Sequence, residues 1–180
     1  MPKVVIDPGH GGHDPGASYA GAREADLNLR IARILRAAPA ATAVKVFLTR
    51  EDDRFLPLLA RAEMANELGA DIFLSIHCNA SIRPEAPGFS VHHFPGAPRG
   101  EALARALHRA LARGLPDRRD RGVIASSFLV LRRTVMPAAL VECEFLSHPA
   151  SRAWLHTPEA PERLAQAIRQ GLEDFFHLLV

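Results

Sequence analysis

The chain has 180 residues, which fits one domain with a buried core. Hydrophobic residues make up 48% and charged residues 23% of it, which excludes an intrinsically disordered chain. The net charge of +2 argues against a nucleic-acid-binding role, and no apolar run approaches the length of a membrane span.

The N-terminus does not have the pattern of a signal peptide, because Met1-Pro2-Lys3 leads directly into a short apolar run. We therefore expect a protein that stays inside the cell, leaves by another route, or has lost an export segment. Arginine supplies nearly all of the positive charge, since Lys3 and Lys45 are the only lysines. A GC-rich genome and a hot habitat would each explain this bias.

Short β-rich runs alternate with helical patterns along the chain, which predicts a single α/β domain over residues 1–180. Several of these runs are apolar on both faces, as expected for strands covered by helices on both sides. The predicted strands are 4–7, 44–49, 71–77, 89–94, 128–132 and 139–142.

Apolar residues at helical spacing predict four helices between and after these strands. The second covers about 56–68 and ends at Gly69, the third ends at Gly114, and the last runs from about 161 to the C-terminus. Prolines, glycines and charges predict loops at 81–88 and 116–122. The predicted buried faces are Leu27, Ile31, Ile34, Leu35 and Ala38, then Leu103, Ala106, Leu107, Ala110 and Leu111, and finally Leu164, Ile168, Leu172 and Phe175.

The loop Asp-Pro-Gly-His-Gly-Gly-His-Asp-Pro-Gly at 7–16 follows the first strand directly. It places His10 just past the carboxyl end of that strand, where open α/β sheets usually have their sites. Glycine-rich turns also bind phosphate, but the Gly-Lys-Ser/Thr ending of such a loop is missing. His13 is a rival ligand in this loop, and it also fits a solvent-facing position.

Glu24 and His77 are further candidate metal ligands. Glu24 opens the first helix, where the helix dipole alone would favour an acid, and His77 ends an apolar strand, where a core histidine is an alternative. Taken with His10, they give two histidines and a carboxylate at the edge where strands end. This set is typical of catalytic zinc and is also found around iron.

Glu142 stands at the end of the last buried apolar strand. A charge there is unfavourable unless it is paired, for example with an arginine, or used chemically. Glu144 should point to the same side of the strand by alternation, so it competes with Glu142 for the role of catalytic base.

Together these motifs resemble the zinc-dependent N-acetylmuramoyl-L-alanine amidases of the type-3 class. The resemblance extends over nearly the whole chain, in the order that the family shows. The segments that carry it are 5–12, 48–50, 61 and 65–66, 70–80, 130–132 and 136–142.

The resemblance implies a mostly parallel six-stranded sheet with helices on both faces. It implies that His10, Glu24 and His77 bind one Zn²⁺ and that Glu142 is the catalytic carboxylate. The implied substrate is peptidoglycan, cleaved at the amide between the lactyl group of N-acetylmuramic acid and L-alanine of the stem peptide. The implied location is the periplasm or cell envelope, and Arg132 and Asn79 are candidate substrate contacts.

Two positions depart from the family pattern: Glu144 replaces a small residue and His148 replaces an asparagine. Some relatives also carry a long insert after the second histidine, with a helix that blocks the zinc until an activator removes it. Here Gly88 follows Cys78 by ten positions (88 − 78). We therefore expect an open site in a monomer that needs no activator.

Two other kinds of function remain open on the sequence: a zinc peptidase or deacetylase acting on another amide, and a non-catalytic wall-binding module. Cys78 and Cys143 each follow a proposed site residue, and strand alternation turns both away from the metal. We expect buried, inert thiols, with a disulfide between the two as the alternative.

Overall fold

The computed structural model describes residues 1–37, 44–81 and 87–178. Its elements are, in chain order, β1 (Lys3–Pro8), β2 (Ser18–Tyr19), β3 (Ala22–Arg23), α1 (Glu24–Ala37), β4 (Lys45–Leu48), α2 (Leu58–Leu68), β5 (Ile72–Asn79), β6 (Phe89–His93), α3 (Pro98–Gly114), β7 (Asp120–Ala125), α4 (Leu129–Arg133), β8 (Ala138–Phe145), α5 (Pro149–Leu155) and α6 (Glu159–His177).

Six strands form one mixed sheet in the order β4-β1-β5-β8-β6-β7. Every neighbouring pair is parallel except β6 and β8. This confirms the mostly parallel six-stranded sheet. Because β1, β5 and β8 are adjacent and parallel, their carboxyl ends meet at one edge of the sheet, which is where the candidate site lies.

Helices cover both faces of the sheet, and strand alternation divides the core between them. On β5, Leu74 belongs to the buried cluster shared with α1, α3 and α6, which includes Leu107. The adjacent Phe73 points to the opposite face and packs in the cluster that contains Leu131 of α4 and residues of α2. Among the described residues, no helix is long and apolar enough to cross a membrane.

The helix ends follow local chemistry. Gly69 terminates α2 with φ of 60°, a left-handed conformation that glycine adopts without a steric penalty. Gly171 serves packing, because a Cβ there would lie 2.6 Å from the Cα of Leu107. Glycine at this position allows α6 to approach α3 closely.

The predicted strand at 128–132 is wrong, because this segment forms α4. The sixth strand is β7 (Asp120–Ala125), which overlaps the region predicted as a loop at 116–122. Short apolar runs do not distinguish a strand from a buried helix: Val130 and Leu131 are buried on one side of a single helical turn. Most of the edge strand β7 is exposed, and its apolar residues are limited to the last three positions, 123–125.

Other boundaries differ less. The strands β5 and β8 extend past their predicted ends, α6 begins at Glu159, and the short helix α5 was not predicted. The signal for α5 was His148 as N-cap, accepting from the backbone N–H of Ser151, followed by proline. Ala38 and most of the predicted loop at 81–88 lie outside the described residues.

Candidate active site

His10 follows β1 and has φ of 61°, the left-handed region. Its Nδ1 lies 2.8 Å from a carboxylate oxygen of Asp14, which fixes the ring and leaves Nε2 facing inward. The ring packs edge-on against His77, with ring centres 4.9 Å apart. Gly9 makes this packing possible, because a Cβ there would lie 2.2 Å from Cε1 of His77.

Two buried arginines hold this loop from beneath. Arg50 donates to the carbonyl oxygens of Pro8 at 2.9 Å and Gly9 at 3.0 Å. Arg61 donates to a carboxylate oxygen of Asp7 and to the carbonyl oxygens of Pro8 (both 2.9 Å) and His10 (2.8 Å). Both arginines are at most 1% exposed, so their guanidinium groups form hydrogen bonds to the loop and not to solvent.

Glu24 opens α1 and connects the two histidines. Its Oε2 lies 3.3 Å from Nε2 of His10, and its Oε1 lies 2.9 Å from Nδ1 of His77. The carboxylate also accepts the backbone N–H groups of Ala17 at 2.9 Å and Cys78 at 3.1 Å. The helix N-terminus adds a favourable dipole for its negative charge.

His10, Glu24 and His77 form the one cluster among the described residues whose ligand atoms could hold a metal ion, with these atoms within 4.8 Å of one another. His13 lies outside this cluster. Its exposed ring packs against Phe55, with centres 4.1 Å apart.

The three side chains shift one another's pKa values. Burial disfavours the charged form of all three side chains, but hydrogen bonds and charges of their neighbours together outweigh this effect. Hydrogen bonds and charges of Glu24 and Asp14 raise the pKa of His10 to about 9, and Glu24 and Glu142 raise the pKa of His77. The two histidines in turn lower the pKa of the Glu24 carboxyl. The cluster is therefore arranged to hold positive charge next to a carboxylate.

Glu142 lies beside His77, directly opposite it in the β5–β8 ladder. Its Oε2 is buried and has no hydrogen-bond partner among the described residues, so the pairing with an arginine that the sequence left open does not occur there. Burial, followed by the charge of Glu24, raises the pKa of Glu142 to about 7, although His77 and His10 oppose the shift. A buried carboxyl with a free oxygen and a pKa near neutrality can both accept and release a proton.

The carboxylate of Glu144 is hydrogen-bonded to the backbone. It accepts the N–H groups of Gly88 and of Phe145, the second at 3.0 Å. The ladder pairs His77 with Glu142 but Asn79 with Phe145, so β8 carries one extra residue there. This bulge interrupts the alternation from which we expected Glu144 to point to the same side as Glu142.

A neutral histidine lies on the neighbouring strand. Ser90 of β6 is paired with Glu142, and its hydroxyl is 3.0 Å from Nε2 of His92. The other ring nitrogen of His92 is 2.8 Å from the hydroxyl of Ser126. Burial, followed by the charges of His77 and His93, lowers the pKa of His92 to about 4, so His92 adds no charge to the site. His92 could not be identified as a site residue from the sequence, because β6 has no motif that marks it.

The two candidate substrate contacts lie in different places. Asn79 is two residues past His77, and its Oδ1 accepts the N–H of Ala80 at 2.7 Å. Arg132 is exposed on α4 and lines a cavity of about 270 Å³ that includes Ala138, the first residue of β8. Glu142 lies toward the other end of this strand, so the structure brings Asn79 near the cluster and separates Arg132 from it.

Cys78 and Cys143 are both free and buried. They lie on the sheet face opposite His77 and Glu142, in the cluster beneath α1, α3 and α6. A hydrogen bond with Cys143, together with burial, raises the pKa of the Cys78 thiol. The structure therefore has two adjacent, buried thiols and no disulfide between them.

Comparisons with known proteins identify the family of this chain. Residues 4–174 match the family of N-acetylmuramoyl-L-alanine amidases. The sporulation-specific N-acetylmuramoyl-L-alanine amidase of Bacillus subtilis (strain 168) is 37% identical over 182 aligned residues, which cover 99% of this chain and 69% of that protein.

Solved structures show the same fold. The crystal structure of an N-acetylmuramoyl-L-alanine amidase from Clostridium difficile 630 is 34% identical, with a TM-score of 0.93 over 98% of this chain and 97% of that one. The CwlD amidase of Clostridioides difficile, solved in complex with the GerS lipoprotein, is 28% identical, with a TM-score of 0.93 over 99% and 100%. The chain belongs to the N-acetylmuramoyl-L-alanine amidase family.

Proposed function

We propose that this protein is a peptidoglycan hydrolase that cleaves the amide between the lactyl group of N-acetylmuramic acid and L-alanine of the stem peptide. The observation that carries the proposal is the buried, unpartnered Oε2 of Glu142 beside the cluster of His10, Glu24 and His77. Membership of the amidase family supports the choice of bond.

His10, Glu24 and His77 would hold one Zn²⁺. Ligand atoms in a tetrahedral zinc site lie roughly 3.3 Å apart, and this cluster is already compact, with its ligand atoms within 4.8 Å of one another. Asp14 orients His10 from the far side of the ring, as a carboxylate commonly does for a metal-binding histidine. Iron also binds such a set, so metal analysis is needed to identify the ion.

Zinc, when bound, supplies Lewis-acid polarisation of the scissile carbonyl and acidifies the attacking water. Glu142 accepts the proton of that water at its free carboxylate oxygen and delivers it to the leaving nitrogen of L-alanine. Glu144 does not compete for this role, because its carboxylate is held by two backbone N–H groups.

The substrate places the protein at the cell envelope. We further propose that it needs no activator, since only ten positions separate Cys78 from Gly88 (88 − 78), and that it acts as a monomer. The CwlD structure is of a complex with a lipoprotein, so purified protein has to be assayed alone to test this.

Digestion of purified peptidoglycan, with and without a chelator, tests the proposal. We expect new amino termini of L-alanine, lost with the chelator and restored by Zn²⁺, and a His77→Ala variant that no longer retains the metal. New amino termini at another residue would indicate a peptidase, and released acetate a deacetylase. Stoichiometric zinc without any cleavage would indicate a non-catalytic wall-binding module.

A further inference from the structure

Arg121 of β7 stands over an aromatic ring close to the candidate active site. Its guanidinium carbon lies 5.0 Å from the centre of the Phe145 ring, within the range of a cation–π contact. Phe145 is buried and Arg121 is exposed, so the ring supports one side of the guanidinium and leaves its donors facing solvent.

The strand register places this pair on the same face of the sheet as the catalytic groups. Because of the bulge in β8, Phe145 is paired with Asn79, which is two residues past His77 on β5. Residues two apart on a strand point to the same face, so Phe145 and His77 share a face and lie at the same edge. The guanidinium of Arg121 is therefore held above the edge of the sheet from which Glu142 acts.

The charge of Arg121 is not neutralised within the described residues, where no carboxylate forms an ion pair with it. The adjacent Asp120 is engaged by His108, whose Nε2 lies 2.7 Å and 2.9 Å from its two carboxylate oxygens. Glu144, next to Phe145, is engaged by backbone N–H groups. Other arginines of this surface differ: Arg118, for example, lies 3.1 Å from Asp117.

We propose that Arg121 binds a carboxylate of the stem peptide and so gives the enzyme a preference for acidic stem peptides. This inference rests on the proposed function and assigns a specificity-determining residue to the same site. The glycan of peptidoglycan is neutral once its lactyl carboxyl is in amide linkage, so the free carboxylates of the substrate lie on the peptide side. A guanidinium fixed in orientation matches a carboxylate through two parallel hydrogen bonds.

The test uses zinc-loaded protein and disaccharide dipeptides with L-alanine and D-glutamate as the stem, prepared as the diacid and as the diamide. We expect Arg121→Gln to raise KM for the diacid about 10-fold, as expected for loss of a charge-assisted hydrogen bond, and to leave KM for the diamide nearly unchanged. The kcat values should change little, because Arg121 does not touch the reacting atoms. Arg121→Lys should restore only part of the preference, because lysine lacks the planar fork.

Arg109→Gln is the matched control, since it removes the same charge from an exposed position on α3. It should leave both KM values unchanged. An equal loss on diacid and diamide, or no loss on either, would overturn the assignment of Arg121 while the proposed function stands. A wild-type protein that cleaves neither these compounds nor purified peptidoglycan would overturn both.

Discussion

At the scale of single residues, the geometry of the site depends on side chains that do not take part in the reaction. Arg61 is 1% exposed and joins the carboxylate of Asp7 to the backbone of the loop that carries His10. Asp7 also accepts the hydroxyls of Thr49 at 2.6 Å and Ser75 at 2.8 Å. The guanidinium of Arg61 therefore binds partners inside the protein and not solvent.

Replacement of this arginine should destabilise the fold strongly. Arg61→Leu leaves the Asp7 carboxylate buried without its ion-pair partner, and loss of one member of such a pair costs about 3–5 kcal/mol. Chemical denaturation should show this as a lower free energy of unfolding. Arg105→Gln, at an exposed position paired with Glu101, should leave the denaturation midpoint unchanged. A stable Arg61→Leu protein would contradict the role given to this network.

The raised pKa values predict how metal-free protein responds to pH. The pKa of His10 is raised from 6.5 to about 9 in the folded state, so its contribution to stability is complete below about pH 6.5 and is lost as the pH rises through about 9. Stabilisation by bound zinc changes with pH in the opposite direction, because zinc binds the deprotonated ligands. The rise in melting temperature on adding Zn²⁺ should therefore be larger at about pH 9 than at about pH 6.

Thermal melts in chelator and in Zn²⁺ at these two pH values measure this difference. His10→Ala should flatten the dependence of the metal-free protein and reduce the effect of Zn²⁺. If Zn²⁺ raises the melting temperature equally at both pH values, zinc and protons do not compete for the histidines.

The residues of the site were predictable to different degrees. His10, Glu24, His77 and Glu142 could be named because each stands at the end of a strand or the start of a helix, in motifs of a known family. Arg61 could not be given a role, because its partners are 51 to 54 positions away in the chain. Arg121 lies on a strand that the sequence suggested was partly a loop.

At the scale of elements, the close packing of α6 against α3 limits the size of the side chain at position 171. The helices α3 and α6 meet at Gly171, where an added Cβ would lie 2.6 Å from the backbone of Leu107. Gly171→Ala should therefore push the helices apart and cost about 1–3 kcal/mol, although alanine is the better helix former.

Denaturant titration of Gly171→Ala tests this packing. Gln166→Ala is the control, at an exposed position on the same helix, and it should be neutral or slightly stabilising. A stability of Gly171→Ala equal to that of the wild type would mean that α6 can shift without loss.

The two wrong secondary-structure predictions, at α4 and β7, have one physical origin. The spacing of apolar residues indicates which positions are buried, but it does not show which backbone groups form hydrogen bonds. The apolar run of α4 is short enough to fit a strand, whereas the apolar residues of the mostly exposed β7 are limited to its last three positions. The bulge of β8 between Glu142 and Phe145 was also not predictable, because strict alternation places Glu144 on the same side as Glu142.

At the scale of the whole molecule, topology assembles the site. The sheet order puts β1, β5 and β8 side by side and parallel, so positions 10, 77 and 142 converge although they are far apart in the chain. Because helices cover both faces of the sheet, the candidate active site lies at the carboxyl ends of these strands. The fold could be predicted to this level, since alternating strands and helices favour such a sheet.

The central claim is that His10, Glu24 and His77 hold zinc while Glu142 moves the proton, and the Glu142→Gln variant tests it most directly. Zinc content and the rate of L-alanine amide cleavage are measured on the same sample, with Glu144→Gln as the neighbouring control. We predict one zinc per chain in both variants, a rate reduced by roughly 10²–10⁴ in Glu142→Gln, and a nearly normal rate in Glu144→Gln. Near-normal activity of Glu142→Gln, or loss of its zinc, would contradict the account.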